Sequence, residues 1–256
     1  MSDVGHALRQ VRYTNKAFWR NPANAFFTFA FPLMFLVIFT GLFGNDSITV
    51  AGREISVSTF YVSAIATFSI ITATYTNLAI NVSFTRDAGV LKRIRGSPLP
   101  AWSFMAGRIG HAILVTILLV AMVVTFGALF YDAEVPTRTL PAFLTTIAVG
   151  AATFSALGLA LTGAIPNADA SPAIVNASIL PLLFLSGIFI PIQDPNAWYV
   201  TVAKFFPVYH FAAAMNSAYF SLTGSGFEGG HLLVMGAWGL AGVILAVRFF
   251  SWEPRR

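Results

Sequence analysis

A short basic island, residues 86–100, lies between two apolar runs that are each long enough to cross a membrane. It reads RDAGVLKRIRGSPLP, and five of the fifteen Lys and Arg residues of the chain fall between positions 86 and 108. Charges at this density are too costly to place in hydrocarbon. The island therefore lies on one side of a bilayer, and the other segments can be oriented from it.

The composition is that of an integral membrane protein. Hydrophobic residues make up 57% of the 256-residue chain, charged residues only 10%, and the mean hydropathy is +0.75. The net charge of +5 is too small and too segregated for a nucleic-acid surface, so no nucleic-acid partner is expected. The absence of cysteine excludes disulfides, thiol nucleophiles and Cys-ligated metals. No secretory leader is expected, because the first 24 residues carry four basic residues and no apolar core.

Six apolar runs predict an all-α membrane domain over residues 25–256. With both termini in the cytoplasm, twelve Lys and Arg residues lie inside and only three, Arg53, Arg138 and Lys204, lie outside. The segment between the fifth and sixth runs is too polar and proline-broken to span, and it predicts short outer helices at the interface. The six predicted spans are approximately 25–43, 57–84, 109–130, 140–165, 172–190 and 231–247.

Residues 1–24 predict an amphipathic helix on the membrane surface. At 100° per residue, an apolar face of Val4, Leu8, Val11 and Phe18 lies opposite a narrow basic arc. Such a helix is suited to lie among the headgroups of an anionic leaflet, so membrane lipids are a predicted partner. The alternative is a solvated helix packed on a soluble partner. The basic arc consists of Arg9, Arg12, Lys16 and Arg20.

The residues that could act in catalysis do not favour an enzyme. The apolar cores as drawn carry no acidic or strongly basic group, which disfavours coupling to an ion gradient. No phosphate-binding loop occurs, so ATP would be hydrolysed on another polypeptide. An intramembrane serine protease is a remote alternative, because Ser186-Gly187 lacks the preceding glycine and the histidines are scattered. The histidine spacing indicates no metal site, and a stand-alone channel stays open as another alternative.

Three motifs in order resemble the membrane subunit of ABC-2 type exporters, the six-span permeases similar to the daunorubicin/doxorubicin resistance permease. They are Arg20-Asn21-Pro22 after the basic helix, the island from Arg86 to Leu99, and Ser186-Gly187-Ile188-Phe189-Ile190-Pro191. The resemblance covers nearly the full length. It implies a permease that binds no cofactor itself and works with two ATPase subunits that bind ATP and Mg²⁺, together with a second permease copy.

The resemblance also implies that the island is a coupling helix seated on the ATPase. Gly89 would form the turn, Leu91 and Ile94 would be the apolar contacts, and neighbouring basic residues would meet acidic groups or lipid phosphates. The family more often has Glu near Asp87 and Gly-Thr-Leu where this chain has Gly89-Val90-Leu91. The alternative is that the island is only a topology signal. The predicted coupling residues are Arg86, Asp87, Gly89, Leu91, Lys92, Arg93, Ile94 and Pro98.

The expected activity is outward transport of a hydrophobic or amphiphilic drug-like or lipid-like substrate across a prokaryotic inner (plasma) membrane. Export of a polysaccharide or lipid-linked glycan is the alternative within the family. Thr72, Tyr75 and Asn77 are the predicted path residues. The resemblance further implies that the segment from Pro191 to Gly224 forms re-entrant helices that close the exit. The predicted outer gate consists of Ser186, Gly187, Phe189, Ile190 and Pro191.

Overall fold

The structure is mostly helical, as the sequence predicts. It is a computed structural model that describes residues 3–44, 46–50, 52–96, 101–192, 194, 196–220 and 224–253. The helices are α1 (Asp3–Trp19), α2 (Pro22–Phe43), α3 (Val57–Ile71), α4 (Asn77–Asp87), α5 (Val90–Arg95), α6 (Ala101–Tyr131), α7 (Leu140–Thr162), α8 (Ser171–Leu185), α9 (Trp198–Ala203), α10 (Pro207–Phe220) and α11 (Gly229–Phe249), with a π-helical segment, Thr72–Thr76, joining α3 to α4.

Within the described residues, five helical stretches are long and apolar enough to cross a membrane. They are α2, the continuous stretch Val57–Asp87, α6, α7 and α11. The predicted fifth span, 172–190, instead forms the 15-residue helix α8, which ends at Leu185. At 1.5 Å per residue α8 is about 22 Å long, shorter than a hydrocarbon core of about 30 Å. A multi-pass membrane protein is confirmed, and the sixth span stays a prediction.

The contacts place the connecting segments at two opposite ends of the bundle. At one end, the basic island and the end of α7 meet, and Gly163 abuts Phe249 at the end of α11. At the other end, Arg53 and Glu134 form a 3.2 Å ion pair, linking the segments after α2 and α6. This alternation agrees with helices that cross back and forth. The cytoplasmic assignment of the first end rests on the charge asymmetry and stays a prediction.

A β-hairpin corrects the all-α prediction locally. Strands β1 (Ser47–Val50) and β2 (Arg53–Ser56) pair antiparallel, with Ile48 opposite Ile55 and Val50 opposite Arg53. The sequence analysis treated this region only as a polar loop. Alternating apolar and polar residues and the left-handed Gly52 at φ 83° are what form the hairpin.

The stretch from α3 to α4 forms the centre of the bundle. Nearly all of α3 is buried, whereas α2 and α11 expose most of their apolar side chains. Some hydroxyl groups in this central stretch bond their own helix: Thr67 donates to the Ser63 carbonyl at 2.8 Å and Ser69 to the Ile65 carbonyl at 2.7 Å. Others bond across the bundle, as Ser63 does when its Oγ donates to Asn216 Oδ1 at 2.9 Å.

Candidate coupling and substrate sites

The basic island folds into a tight helical corner. Gly89 adopts φ 69°, a left-handed conformation that favours glycine, and it separates α4 from α5. This is the turn that the sequence predicts. Leu91 is fully buried against Leu78, Val82 and Phe104, so α5 is anchored to α4 and α6.

The exposed face of α5 is cationic. Lys92 and Arg93 are exposed, while Ile94 is half-buried against the cluster around Leu91. The predicted apolar contacts therefore face inward: Leu91 is not available to a partner, because its side chain has no exposed surface. Pro98 lies outside the described residues.

Arg86 links α4 to the end of α7 through hydrogen bonds. Its side chain is only 1% exposed, and its guanidinium donates from Nη1 to the Thr162 carbonyl at 3.0 Å and from Nη2 to the Ile165 carbonyl at 2.9 Å. These carbonyls lie at and just beyond the C-terminus of α7, where helical carbonyls lack intrahelical partners and a cation is favoured. Arg86 therefore caps α7 and does not offer its guanidinium to a partner subunit. Its part in coupling stays a prediction.

Asp87 adds hydrogen bonds to this link between α4 and α7. Its Oδ1 accepts from Arg86 Nε at 3.2 Å, and its Oδ2 accepts from the Ala168 backbone N–H at 2.5 Å. The turn between α7 and α8 is thereby held against α4. Both residues belong to the predicted coupling set. Two adjacent opposite charges in a basic loop do not indicate, however, that they bond the chain some eighty positions away.

The predicted path residues lie in different surroundings. Tyr75 is buried and lines an apolar cavity, Asn77 lines a polar cavity, and Thr72 is half-buried. Tyr75 belongs to the π-helical segment, a geometry that is frequent at functional sites. A Cβ at Gly158 would lie 2.9 Å from the Tyr75 carbonyl, so α7 packs directly on this segment.

The apolar cavity has a volume of about 440 Å³ and lies between α7, α8 and α11. Its polar feature is a hydroxyl pair. Tyr75 Oη lies 2.8 Å from Ser178 Oγ, and because Ser178 donates to the Val175 carbonyl at 2.7 Å, Tyr75 is the donor in this pair. The apolar lining includes Phe154, Leu161, Leu182, Phe206, Trp238 and Leu245.

The predicted outer-gate residues divide into buried and exposed members. Phe189 is buried and its backbone carbonyl accepts from Tyr61 Oη at 3.3 Å, whereas Ile190 is 64% exposed. Ser186 is buried and donates to the Leu183 carbonyl at 2.9 Å. Gly187 turns the chain at φ 80°, and Pro191 is half-buried. The aromatic side chains around Phe189 are Phe35, Phe39, Phe68 and Phe184.

Two short helices, α9 and α10, follow this turn. Trp238 Nε1 donates to the Phe205 carbonyl at 3.1 Å. Trp238 lies nine residues into α11, or about 13 Å at 1.5 Å per residue, so the chain between α9 and α10 lies well below the end of α11. Near that end, His210 Nδ1 and His231 Nδ1 are 2.7 Å apart, and His210 Nε2 lies 2.7 Å from the Lys204 carbonyl. No sequence pattern predicts this imidazole pair.

The N-terminal helix forms as predicted, but its apolar face is covered by protein. A Cβ at Gly110 of α6 would lie 2.7 Å from Val11, and Phe18 contacts the rings of Phe29 and His111. Leu8, assigned to the same face, is instead 66% exposed. The prediction that this face enters the lipid is therefore wrong for Val11 and Phe18. The basic residues Arg9, Arg12, Lys16 and Arg20 are all exposed.

These features define a multi-pass helical membrane protein with small-molecule-sized cavities between its helices. Comparison with protein families gives a match to the ABC-2 type transporter family over residues 10–220. The chain belongs to the ABC-2 type transporter family, as the sequence motifs indicated, and it is accordingly a membrane component of a transporter.

Two curated relatives carry the name "Putative transport permease ycf38". The protein from Pyropia yezoensis is 25% identical over 191 residues, and the protein from Porphyra purpurea is 24% identical over the same length. Each alignment covers 74% of this chain and 65% of the relative. The chain thus spans about 65% of the length of these relatives.

Proposed function

We propose that this chain is the permease of an ATP-driven exporter for a hydrophobic or amphiphilic substrate, such as a drug or a lipid. Two permease copies would work with two ATPase subunits, which supply the site for ATP and Mg²⁺. The observation that carries the substrate class is the apolar cavity between α7, α8 and α11.

The lining of this cavity suits an apolar ligand. Its volume of about 440 Å³ lies in the range of small-molecule sites, about 300–1,000 Å³. Its principal polar feature is the Tyr75–Ser178 hydroxyl pair, which could orient one polar group. A sugar polymer would leave many hydroxyls without partners against such walls. The polysaccharide and glycan alternatives are therefore less well supported.

Coupling to an ATPase is supported by a continuous chain of contacts. The exposed cations Lys92 and Arg93 on α5 offer a surface for acidic groups of a partner. Leu91 fixes α5 to α4, and Arg86 fixes α4 to the end of α7. Because α7 lines the apolar cavity, a displacement of α5 would reach the cavity through rigid elements.

A second permease copy is supported by the exposed side of α8. This helix buries only the stripe Ser171, Val175, Ile179 and Leu183. Asn176 is exposed at the edge of this stripe, next to Leu183 on the helix surface. An amide facing lipid is unfavourable, whereas an amide between helices can form hydrogen bonds. The unburied side of α8 is therefore a suitable face for the second copy.

The outer gate and the location complete the proposal. The depth of the Phe205 backbone supports a re-entrant segment, because its carbonyl is satisfied by Trp238 as a backbone group at membrane depth requires. The charge asymmetry supports an orientation with both termini in the cytoplasm. A prokaryotic inner membrane is the location proposed with it. For a protease, Ser186 is poorly suited, since its hydroxyl already donates to Leu183.

The coupling role is tested with the double variant Lys92→Glu/Arg93→Glu in membranes that also contain the ATPase subunit purified with the chain. We expect substrate-stimulated ATP hydrolysis to be lost while membrane insertion is unchanged, because both side chains are exposed and neither supports the fold. Lys16→Glu, an exposed cation on α1, is the matched control. Unchanged stimulation in the double variant would refute the coupling role.

The substrate class is tested with Leu182→Trp, which fills the apolar cavity. We expect transport of an amphiphilic dye into inverted vesicles to fall at least tenfold, because the enlarged side chain occupies the site. Leu240→Trp on α11 is the control, since Leu240 is 62% exposed. Equal transport by both variants would remove the cavity from the proposed path.

A further inference from the structure

A second cavity, of about 470 Å³, lies between α1, the start of α2, α4, α5 and α6, at the end of the bundle that carries the basic island. We propose that it binds a phosphate group, and that its occupant is the headgroup of an anionic lipid. This site is distinct from the apolar cavity, and the proposal does not depend on the direction of transport.

The lining is rich in hydrogen-bond donors and carries no carboxylate. Arg108 and His111 lie one turn apart on α6 and both face the cavity. Among the described residues, no acidic side chain lines it. The amide side chains around it are Gln10, Asn21, Asn24, Asn77 and Asn81. Such a set of donors is suited to an oxyanion.

Arg108 is held in place but is not neutralised. Its Nη2 donates to Thr85 Oγ1 at 2.8 Å, and its guanidinium lies 5.2 Å from the centre of the Phe104 ring. Its Nε is buried and has no hydrogen-bond partner, and in the described part of the chain Arg108 forms no ion pair. Arg108 is half-buried, and a partly desolvated guanidinium without a counter-ion is suited to pair with an anion, whose phosphate oxygens its fork fits.

His111 adds a second unused polar atom. Its Nδ1 is buried without a hydrogen-bond partner, although its ring packs on Phe18 at 5.2 Å between centres. Two buried nitrogens without partners, one turn apart on α6, leave hydrogen-bonding capacity unused beside the cavity. The cavity is bounded at its side by α1, whose outer face carries further cations.

The remaining lining favours an amphiphile over a small soluble ion. Ala73, Ala112 and Val115 line the cavity on the side that continues towards the membrane centre along α6. A lipid could place its phosphate at Arg108 and its first acyl carbons along these residues. A free phosphate would use only the polar part of the cavity.

The test uses the purified full-length chain in a neutral detergent, without an ATPase, and measures binding by native mass spectrometry. The probes are dioctanoyl phosphatidylglycerol, dioctanoyl phosphatidylcholine and inorganic phosphate. We expect phosphatidylglycerol to bind at least about tenfold more tightly than phosphatidylcholine. Arg108→Gln should weaken it at least about tenfold, as expected for loss of a charge-assisted hydrogen bond.

Two variants keep the test decisive if Arg108→Gln does not fold. Asn81→Asp places a carboxylate in the cavity and should abolish phosphatidylglycerol binding. It removes the bond from Asn81 Nδ2 to the Asn77 carbonyl, but it should cost little thermal stability because Asn81 is exposed. Arg93→Gln removes an exposed cation at the same end and should leave binding unchanged.

The outcomes separate the sources of the phosphate. Phosphatidylglycerol binding that inorganic phosphate does not displace supports a lipid headgroup. Displacement by inorganic phosphate overturns the lipid occupant and identifies a soluble phosphate site. Equal binding of both lipids, unaffected by Arg108→Gln and Asn81→Asp, overturns the site altogether. Because no transport is measured, failure here leaves the exporter proposal standing, and failure of export leaves this site standing.

Discussion

Removing the buried cation Arg86 should destabilise the whole bundle. The variant Arg86→Met keeps most of the side-chain volume but removes every donor. The carbonyls of Thr162 and Ile165, now bonded at 3.0 and 2.9 Å, would then lose those donors, and Asp87 would lose its ion-pair partner. The tertiary link between α4 and α7 at this end of the bundle would be weakened.

The size of the effect follows from these bonds. A hydrogen bond from a charged group contributes about 1.5–3 kcal/mol, and removing one member of a buried ion pair costs about 3–5 kcal/mol. Arg86 is 1% exposed, so solvent cannot replace its bonds. We therefore expect Arg86→Met to lower the free energy of unfolding by about 3–5 kcal/mol. Arg86→Lys should lose about half as much, because one ammonium keeps the charge but not the fork.

The assay is reversible unfolding in mixed micelles of a mild and a denaturing detergent, followed by tryptophan fluorescence. Arg93→Met is the matched control, because Arg93 lies in the same island but is exposed. It should change the free energy of unfolding by less than about 0.5 kcal/mol. Equal free energies for the two variants would show that Arg86 does not hold α4 to α7.

Three further perturbations test other contacts. Phe189→Ala should cost about 3–5 kcal/mol of stability in the same assay, whereas Ile190→Ala, at an exposed site, should cost little; equal losses would contradict the aromatic packing. Gly107→Ala should displace α1, because a Cβ there meets Gln10, and increased proteolysis of α1 would report it. His210→Phe should lower the thermal stability, because it removes the imidazole contacts to His231 and to the Lys204 carbonyl; an unchanged unfolding temperature would contradict a structural role for this pair.

The span-forming stretches could be predicted because hydropathy needs no tertiary information. The run of residues 25–43 and the helix α2 nearly coincide, and the basic corner at Gly89 follows from a glycine between charged residues. The orientation of single side chains could not be predicted. Arg86 and Lys92 read alike in the sequence, yet one caps α7 and the other is exposed.

The cavities show the same limit. Tyr75 and Asn77 were both marked by their polarity within an apolar run, but residues two positions apart lie on nearly opposite sides of a helix. Which neighbour each one meets depends on packing between distant segments. Residues of α1 also line the polar cavity. The apolar face of α1 was expected to contact lipid, and it packs against α6 instead.

The π-helical segment Thr72–Thr76 has a geometric consequence for this central helix. A π-bulge holds one residue more than the α-helix it interrupts, and one residue corresponds to about 100° of rotation. It therefore sets a fixed phase difference between residues 57–71 and residues 77–87. Deleting one residue of the segment would turn the lower half of the helix by that angle and aim Arg86 away from the Thr162 and Ile165 carbonyls. The angular register of α4 against α7 at Arg86 is thus determined ten residues earlier, at the bulge.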